Sequence, residues 1–166
     1  DDLPAIMQAN ILCDQLGIDT ISAGNVIGFV MECFDKGLIS PSQTGGLEIR
    51  FGDSEASLAA VERMAMRQGF GDIMAEGVRA AAHHIGNGSE RFAMHVKGME
   101  FPAYEPRGAF GSGLSYAVSP RGACHRRAWP PAKEILGGYP PYTIEGKAAM
   151  IKELYDENCV LHSLLV

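Results

Sequence analysis

The stretch SAGNVIGFVMECFDKG, residues 22–37, carries a regular helical pattern of apolar residues. They recur at intervals of three and four positions, a spacing that places side chains on one face of an α-helix. This face consists of Ile27, Val30, Met31 and Phe34. Ser22 is predicted to cap the helix and Gly37 to end it, because serine favours the N-cap and glycine the position after the last turn. The stretch therefore predicts a helix that buries one face.

Three other parts of residues 1–86 repeat this pattern of capping residue, apolar stripe and terminal glycine. They are residues 3–17, for which Asp1 and Asp2 offer an N-cap and which hold Pro4 in the first turn, residues 54–69, which follow Asp53, and residues 72–86. In the second of these, the residues expected to face inward are Leu58, Val61, Met64 and Ala65. Residues 1–86 are therefore predicted to be a helical part of the chain.

Residues 87–142 differ from the preceding part of the chain in composition and lack its helical pattern. RFAMHVKGMEF, residues 91–101, alternates weakly like a strand, and the following residues are rich in glycine and proline. A last helix is predicted from about Thr143 to the chain end, with Ile144, Met150, Ile151, Leu154 and Val160 on one side. The predicted fold is mainly α and multihelical, with a long irregular segment and at most short strands.

Composition narrows the class of protein. With 166 residues, 46% of them hydrophobic, the chain is predicted to form an ordinary folded domain. Its net charge of -6 and its lack of a Lys/Arg run argue against nucleic-acid or acidic-membrane partners. No apolar run approaches the roughly 20 residues that span a bilayer, so we expect a cytoplasmic protein. The four cysteines form no C-x-x-C pair, which argues against a zinc site or a disulfide framework.

Two carboxylates flank a glycine in CDQLGIDTISAG, residues 13–24. On local rules Asp14 is a polar residue at a helix end and Asp19 is an N-cap. Alternatively, two acceptor-only groups presented by a helix end and a turn bind the donor edge of a heterocycle such as a pterin. The residues alone leave both interpretations open.

The glycine-rich segment is the other candidate site. Glycines let the backbone approach a ligand closely, and Tyr104 and His125 supply a phenol and a group that titrates near neutral pH. In the alternative interpretation Arg107 and Arg121 pair with surface carboxylates, and His125 is a partly buried structural histidine. These alternatives also remain open on composition alone.

Four stretches, taken together and in order, resemble the tungsten-dependent aldehyde ferredoxin oxidoreductase family. They are NILCDQLGIDTISAG at 10–24, RQGFGDIMAEGVRAAAHHIG at 67–86, HVKGMEFPAYEPRGAFGSGLSYAVSPRGACH at 95–125 and ENCVLHSLLV at 157–166. Members of this family carry a D-x-x-G-L-D motif that holds one of two pterins. It is matched by Asp14, Gly17, Ile18 and Asp19, with isoleucine in place of leucine. The resemblance therefore implies that the two carboxylates bind a pterin.

The second pterin motif of the family, D-x-x-G-L-C, resembles the last residues of the chain. Its counterpart runs from His162 through Ser163 to Val166, so that the expected cluster cysteine would come directly after Val166. His162 replaces the first aspartate and Leu165 the glycine, so one carboxylate contact to the second pterin is absent from the pattern. The resemblance also implies that Tyr104 and His125 line the tungsten pocket and act on substrate.

The resemblance implies an enzyme that oxidises aldehydes to carboxylic acids. Its cofactors are a tungsten bis-pterin and an iron–sulfur cluster, and its partner is ferredoxin; homodimers occur in the family. Residues 1–166 then correspond to an internal piece of the helical region, with 87–142 lining the pocket and 143–166 leading to the cluster cysteine. Alone, such a piece is expected to bind neither cofactor and to be inactive.

Two alternatives are kept. One is a family branch that reduces an aromatic acyl thioester, an option that the replacement at His162 favours. The other is a helical scaffold or binding domain in which Asp14, Asp19, Tyr104 and His125 serve only structure. A shared cavity would favour the enzyme, and scattered positions would favour the scaffold.

Overall fold

The computed structural model describes residues 2–164, and the fold is mainly α and multihelical, as the sequence predicts. The chain divides into two compact units, Asp1–Glu100 and Phe101–Val166. Within the described residues, no helix combines the length and the apolar character that a membrane crossing requires.

Five helices and a small hairpin make up the first unit. The helices are α1 (Leu3–Leu16), α2 (Thr20–Asp35), α3 (Ser54–Ala65), α4 (Phe70–Ala75) and α5 (Val78–Ile85). A 3₁₀ turn at Ser89–Arg91 leads to the antiparallel strands β1 (His95–Val96) and β2 (Met99–Glu100), in which His95 lies opposite Glu100. The stretch GGLEIRFGD at 45–53 contains no strand.

Local capping rules fix most helix ends of this unit. Asp2 accepts the Ala5 N–H at 3.1 Å and Asp53 accepts the Ala56 N–H at 2.9 Å, which confirms both predicted N-caps. Gly17, with φ +72°, ends α1 as predicted. The prediction that Ser22 caps α2 is wrong, because α2 begins earlier, at Thr20. Its N-cap is Asp19, whose carboxylate accepts the Ser22 N–H at 2.8 Å.

The core of the first unit is centred on α2. All four residues of its predicted apolar face are buried, with exposed fractions from 0 to 8%. From α3, the buried residues that join the same core are Ala60, Val61 and Met64. Leu58 and Ala65, predicted to face inward, are only half-buried. The helical periodicity of α2 thus identified the centre of the core.

The prediction of a single helix over residues 72–86 is wrong, because two helices, α4 and α5, cover this part of the chain and are separated at Gly77. Gly77 has φ +89°, and a Cβ there would lie 2.8 Å from Glu100 Oε1. That oxygen accepts the Val78 N–H at 2.7 Å, so a buried carboxylate from β2 starts a new helix where the old one would have continued. Gly69, predicted to end α3, is instead the N-cap of α4, because α3 already ends at Ala65, with Met66 as its C-cap.

The second unit contains α6 (Phe110–Val118), a π-helix at Ala132–Leu136 and α7 (Lys147–Leu164). The helix α6 lies within the segment predicted to be irregular. Its glycines allow neighbours to approach closely, since a Cβ at Gly111 would lie 2.8 Å from the Glu134 carboxylate and one at Gly113 would lie 3.3 Å from Pro106. Its helical state therefore depends on tertiary packing, which local propensity does not report.

The last helix, α7, begins later than the predicted start near Thr143. Its residues Met150, Ile151 and Leu154 are buried against Ala128 in the core of the second unit. The prediction that two more residues share this face is wrong, since Ile144 precedes the helix and is 83% exposed, and Val160 is 57% exposed.

Gly71 is a position where any side chain must clash. A Cβ at Gly71, in α4, would lie 2.2 Å from the Arg63 carbonyl oxygen, whereas a Cβ at Gly24, in α2, meets nothing within 4 Å. We expect Gly71→Ala to lower the free energy of unfolding by about 3 kcal/mol through this overlap. Gly24→Ala is the matched control and should raise it by about 0.5 kcal/mol through helix propensity. Urea denaturation measures both, and equal effects at the two sites would contradict the packing described here.

Candidate functional site

Three of the four residues that match the D-x-x-G-L-D pattern line one cleft of the first unit. Gly17, Ile18 and Asp19 border a cavity of about 380 Å³. Its other walls include Ser22, Ala23 and Val26 of α2, Met64 and Ala65 of α3, Met74 and Ala75 of α4, and the loop residues Arg67 and Gly77. Asp14, the fourth residue, lies exposed on α1 and is not among the residues that line this cleft.

A tight connection between α1 and α2 presents the motif. Gly17 adopts a left-handed conformation that a residue with a Cβ rarely takes, and the space beside it is open to beyond 4 Å. The following N–H, that of Ile18, donates to the Cys13 carbonyl at 2.8 Å. Ile18 packs its side chain against the core. Asp19 is thereby fixed at the first position before α2, at the rim of the cleft.

The Asp19 carboxylate caps α2 and borders the cleft at the same time. Its Oδ1 accepts the Ser22 N–H, whereas Oδ2 has no hydrogen bond to any residue in 2–164. The side chain is exposed. A carboxylate is an acceptor only, so this group offers an incoming ligand an acceptor beside an open backbone turn. The N-cap interpretation of Asp19 is confirmed, and it leaves one oxygen for a second role.

Two charged residues at or beside this cleft are not predicted from the sequence. Arg67, at the cleft, donates to Asp72 at 2.8 Å and to Glu76 at 2.6 Å, and these hydrogen bonds raise the pKa of its guanidinium. Glu100 is 5% exposed and accepts the Ser22 hydroxyl at 2.9 Å. No local signal marks Glu100 beyond an acidic residue within an otherwise apolar strand.

The second unit brings the other two candidate side chains together. Tyr104 and His125 are both half-buried, and their ring centroids lie 6.2 Å apart with the planes tilted by 45°. The pair lies 21 positions apart in the sequence (125 − 104), in a segment without regular structure at either residue. The fold thus brings the phenol and the imidazole next to each other.

Tyr116, on α6, supports this pair and was not predicted. It is 2% exposed, its ring stacks on Phe101 at 5.3 Å, and its hydroxyl donates to the Tyr104 carbonyl at 3.4 Å. Burial is the main cause that raises the pKa of Tyr116, and the nearby Tyr104 adds to it. Tyr116 is therefore a neutral hydrogen-bond donor that helps to fix the backbone at Tyr104.

Arg107 belongs to the surface rather than to the site. Its guanidinium donates to Glu105 at 2.7 Å while 85% of its side chain is exposed. These hydrogen bonds lower the pKa of Glu105 to about 2. The alternative interpretation, a surface ion pair, is the one that the structure bears out for Arg107. Arg121 is also exposed, and its N–H donates to the Ser119 hydroxyl at 3.3 Å.

The remaining predicted residues lie at the end of α7. His162 is half-buried, and Ser163 is exposed with its hydroxyl donating to the Val160 carbonyl at 2.8 Å. Val166, the last predicted cofactor residue, lies outside the described residues. The helical hydrogen bond of Ser163 leaves its hydroxyl oxygen as an acceptor for a ligand.

The thiols of the first unit are buried and unreactive. Burial raises the pKa of Cys13, next to Asp14, and raises that of Cys33 to about 12. Residues 2–164 contain no group of three or more His, Cys, Asp or Glu side chains arranged to hold a metal ion.

Comparison with known proteins assigns the chain to a family. The family model "Aldehyde ferredoxin oxidoreductase, domains 2 & 3" matches residues 1–166. The tungsten-containing aldehyde ferredoxin oxidoreductase of Pyrococcus abyssi is 45% identical over 168 residues, covering 97% of this chain and 27% of that protein. The protein of the same name from Pyrococcus furiosus is 43% identical over 141 residues, covering 84% of this chain and 23% of that protein.

A more distant relative carries a different name. The aliphatic sulfonate oxidoreductase, WOR-like subunit, of Pyrococcus furiosus is 34% identical over 139 residues, which cover 80% of this chain and 22% of that protein. The chain thus spans about a quarter of the length of the curated relatives it matches. With the family model matched from the first residue to the last, the chain belongs to the aldehyde ferredoxin oxidoreductase family.

Proposed function

We propose that this chain is the helical, cofactor-facing part of a tungsten-dependent oxidoreductase. The complete protein oxidises an aldehyde to a carboxylic acid, with water as the source of the added oxygen. Two protons are released, and two electrons pass through an iron–sulfur cluster to ferredoxin. The observation that carries the proposal is the match of residues 1–166 to the family model, together with a cleft bordered by the family's motif residues Gly17, Ile18 and Asp19. Because the chain spans about a quarter of its relatives, the activity belongs to the longer protein and not to this chain alone.

The chemistry of the cleft fits a pterin. Its volume of about 380 Å³ suits a small heterocycle. The amidine-like edge of a pterin presents adjacent N–H donors, and the Asp19 carboxylate is an acceptor that would receive them in charge-assisted hydrogen bonds. The open turn at Gly17 allows the backbone to approach the ring. When bound, the tungsten pterin supplies the two-electron oxidation, and this chain supplies binding and orientation.

Tyr104 and His125 would act on the substrate. A phenol donates a hydrogen bond to the aldehyde oxygen and so stabilises negative charge that develops there. An imidazole accepts one of the two protons released when aldehyde and water become a carboxylic acid. The 6.2 Å separation of their rings allows both contacts to one small aldehyde. Tyr116 would hold the Tyr104 backbone during the reaction.

Relatives named for aldehyde oxidation favour an aldehyde substrate, since they are 41 to 45% identical to this chain. A second candidate, action on an aliphatic sulfonate, is favoured by the relative that is 34% identical. The reduction of an aromatic acyl thioester has only the replacement at His162 in its favour. Assays of the complete protein with short aldehydes, benzaldehyde and an alkyl sulfonate distinguish the first two of these activities.

Asp19→Asn separates the capping role from the proposed pterin contact. Asparagine caps a helix about as well as aspartate, so the free energy of unfolding should change by less than about 0.5 kcal/mol. Its amide presents a donor and lacks the charge, so we expect at least a roughly tenfold loss of bound pterin and tungsten. Pterin fluorescence after oxidation and elemental analysis of the purified protein measure these contents.

Asp53→Asn is the matched control, because Asp53 caps α3 in the same way and lies outside the cleft. It should keep the full pterin content. An Asp19→Asn protein that also keeps its full content would contradict the proposed contact and leave Asp19 as a cap alone.

A further inference from the structure

Glu100 is a buried carboxylate to which the proposed chemistry assigns no role. It lies at the end of β2 and is 5% exposed. Its Oε1 accepts the Val78 N–H at 2.7 Å and its Oε2 accepts the Ser22 hydroxyl at 2.9 Å. Burying a carboxylate is costly unless donors compensate for the lost water. Here the donors come from the first turns of two helices, α5 and α2.

The local backbone leaves space for this carboxylate. Any residue with a Cβ at position 77 would place that atom 2.8 Å from Glu100 Oε1, and Gly77 has none. Val78, the donor, is the first residue of α5, where backbone N–H groups and the helix dipole favour a negative charge. The hydrogen bond from the Val78 N–H to Glu100 therefore connects β2 to the start of α5, directly after the break that follows α4.

Ser22 links Glu100 to Asp19. Its N–H donates to Asp19 Oδ1 at 2.8 Å, and its hydroxyl donates to Glu100 Oε2. Ser22 thus binds the Asp19 carboxylate through its backbone N–H, and its own side chain is bound by Glu100. Since Ser22 is the third residue of α2, fixing it also fixes the turn that Asp19 caps.

We propose that Glu100 is a positioning residue for the cleft: through Ser22 it holds the Asp19 carboxylate where that group receives hydrogen bonds from a pterin-type heterocycle. Asp19, Ser22 and Gly77 all border the same cleft, and Glu100 is hydrogen-bonded to one of them, Ser22. This inference rests on the proposed function for the identity of the ligand. The hydrogen-bonded link itself is a property of the first unit alone.

The test compares variants of the complete protein that carries this chain, purified anaerobically. Ser22→Ala removes the link and leaves the Glu100 contact to Val78, whereas Glu100→Ala removes both contacts. We expect the amide at position 22 to exchange hydrogen about tenfold faster in each, because a hydrogen bond to a charged group is worth roughly that factor. Bound pterin should fall by a similar factor. If Glu100→Ala fails to fold, Ser22→Ala carries the test.

Two further variants separate positioning from general stability. Glu100→Gln keeps an oxygen for the Val78 N–H and can donate its amide to the Ser22 hydroxyl, so it should restore most of the exchange protection and the pterin. Ser89→Ala is the matched control: Ser89 is fully buried and donates to the Ala82 carbonyl at 3.0 Å in the same unit, away from the cleft. It should change neither readout.

Unchanged exchange at position 22 in Ser22→Ala would overturn the inference. Faster exchange with undiminished pterin would overturn it as well, because the link would then not serve the site. Wild-type protein that contains no pterin would instead overturn the proposed function, so the wild-type sample distinguishes the two failures.

Discussion

Replacing His125 with alanine is expected to lower kcat for aldehyde oxidation by about 10²–10⁴-fold, the usual contribution of a positioned acid–base group. The imidazole lies 6.2 Å from the Tyr104 ring, and in the proposed function it accepts a proton released by the reaction. Tungsten and pterin contents should stay at the wild-type level, because the proposed pterin contacts of the first unit come from Gly17 and Asp19. The measurement is steady-state oxidation of a short aldehyde with an artificial electron acceptor.

His84→Ala provides the matched control for this variant. His84 is an exposed histidine on α5 and lies outside the Tyr104–His125 pair. Its removal should leave kcat within about twofold of wild type, as expected for a surface residue without a catalytic contact. A His125→Ala protein that is fully loaded and retains wild-type kcat would contradict the catalytic role of His125.

The largest effect on stability is expected at the buried ion pair between Lys147 and Glu134. Lys147 Nζ donates to Glu134 Oε1 and to the Pro140 carbonyl at 2.5 Å, and the two charged side chains are 3% and 0% exposed. Gly111 donates its N–H to the same Glu134 oxygen at 2.8 Å. Lys147→Met should cost about 3–5 kcal/mol of unfolding free energy, since it leaves a buried carboxylate without its counter-charge.

Urea denaturation followed by circular dichroism measures this cost. The control is Lys133→Met, because Lys133 Nζ lies 3.9 Å from Glu153 in an exposed pair and should contribute less than about 1 kcal/mol. Adding Glu134→Gln to Lys147→Met removes the uncompensated charge and keeps an oxygen for the Gly111 N–H. The double variant should therefore recover about half of the loss. Equal costs for Lys147→Met and Lys133→Met would contradict the burial of the pair.

Helix ends set by local chemistry could be predicted from the sequence, and those set by distant residues could not. The caps at Asp2 and Asp53 follow from a side chain that reaches an N–H three residues later. The break at Gly77 is caused by Glu100, which lies 23 positions further along the chain (100 − 77). The apolar pattern within residues 72–86 does not depend on Glu100, so it could not predict the break at Gly77.

The candidate site could also be predicted only in part. Sequence motifs identified Gly17 and Asp19, and the segment that brings Tyr104 to His125. Asp14 does not border the cleft with Asp19, although the motif contains both. Tyr116 and Glu100 were missed because each acts through a neighbour, and only the folded chain reveals which neighbour that is.

We expect this chain to contribute, in the complete protein, to a tungsten pterin site that oxidises aldehydes. Tungsten and pterin analysis of the complete wild-type protein, purified anaerobically, tests this expectation when aldehyde oxidation is assayed on the same sample. The expected result is tungsten together with pterin, and carboxylic acid formed from added aldehyde. Folded protein that contains neither tungsten nor pterin, and leaves the aldehyde unchanged, would rule out this role and favour a helical scaffold that retains the motif residues without the chemistry.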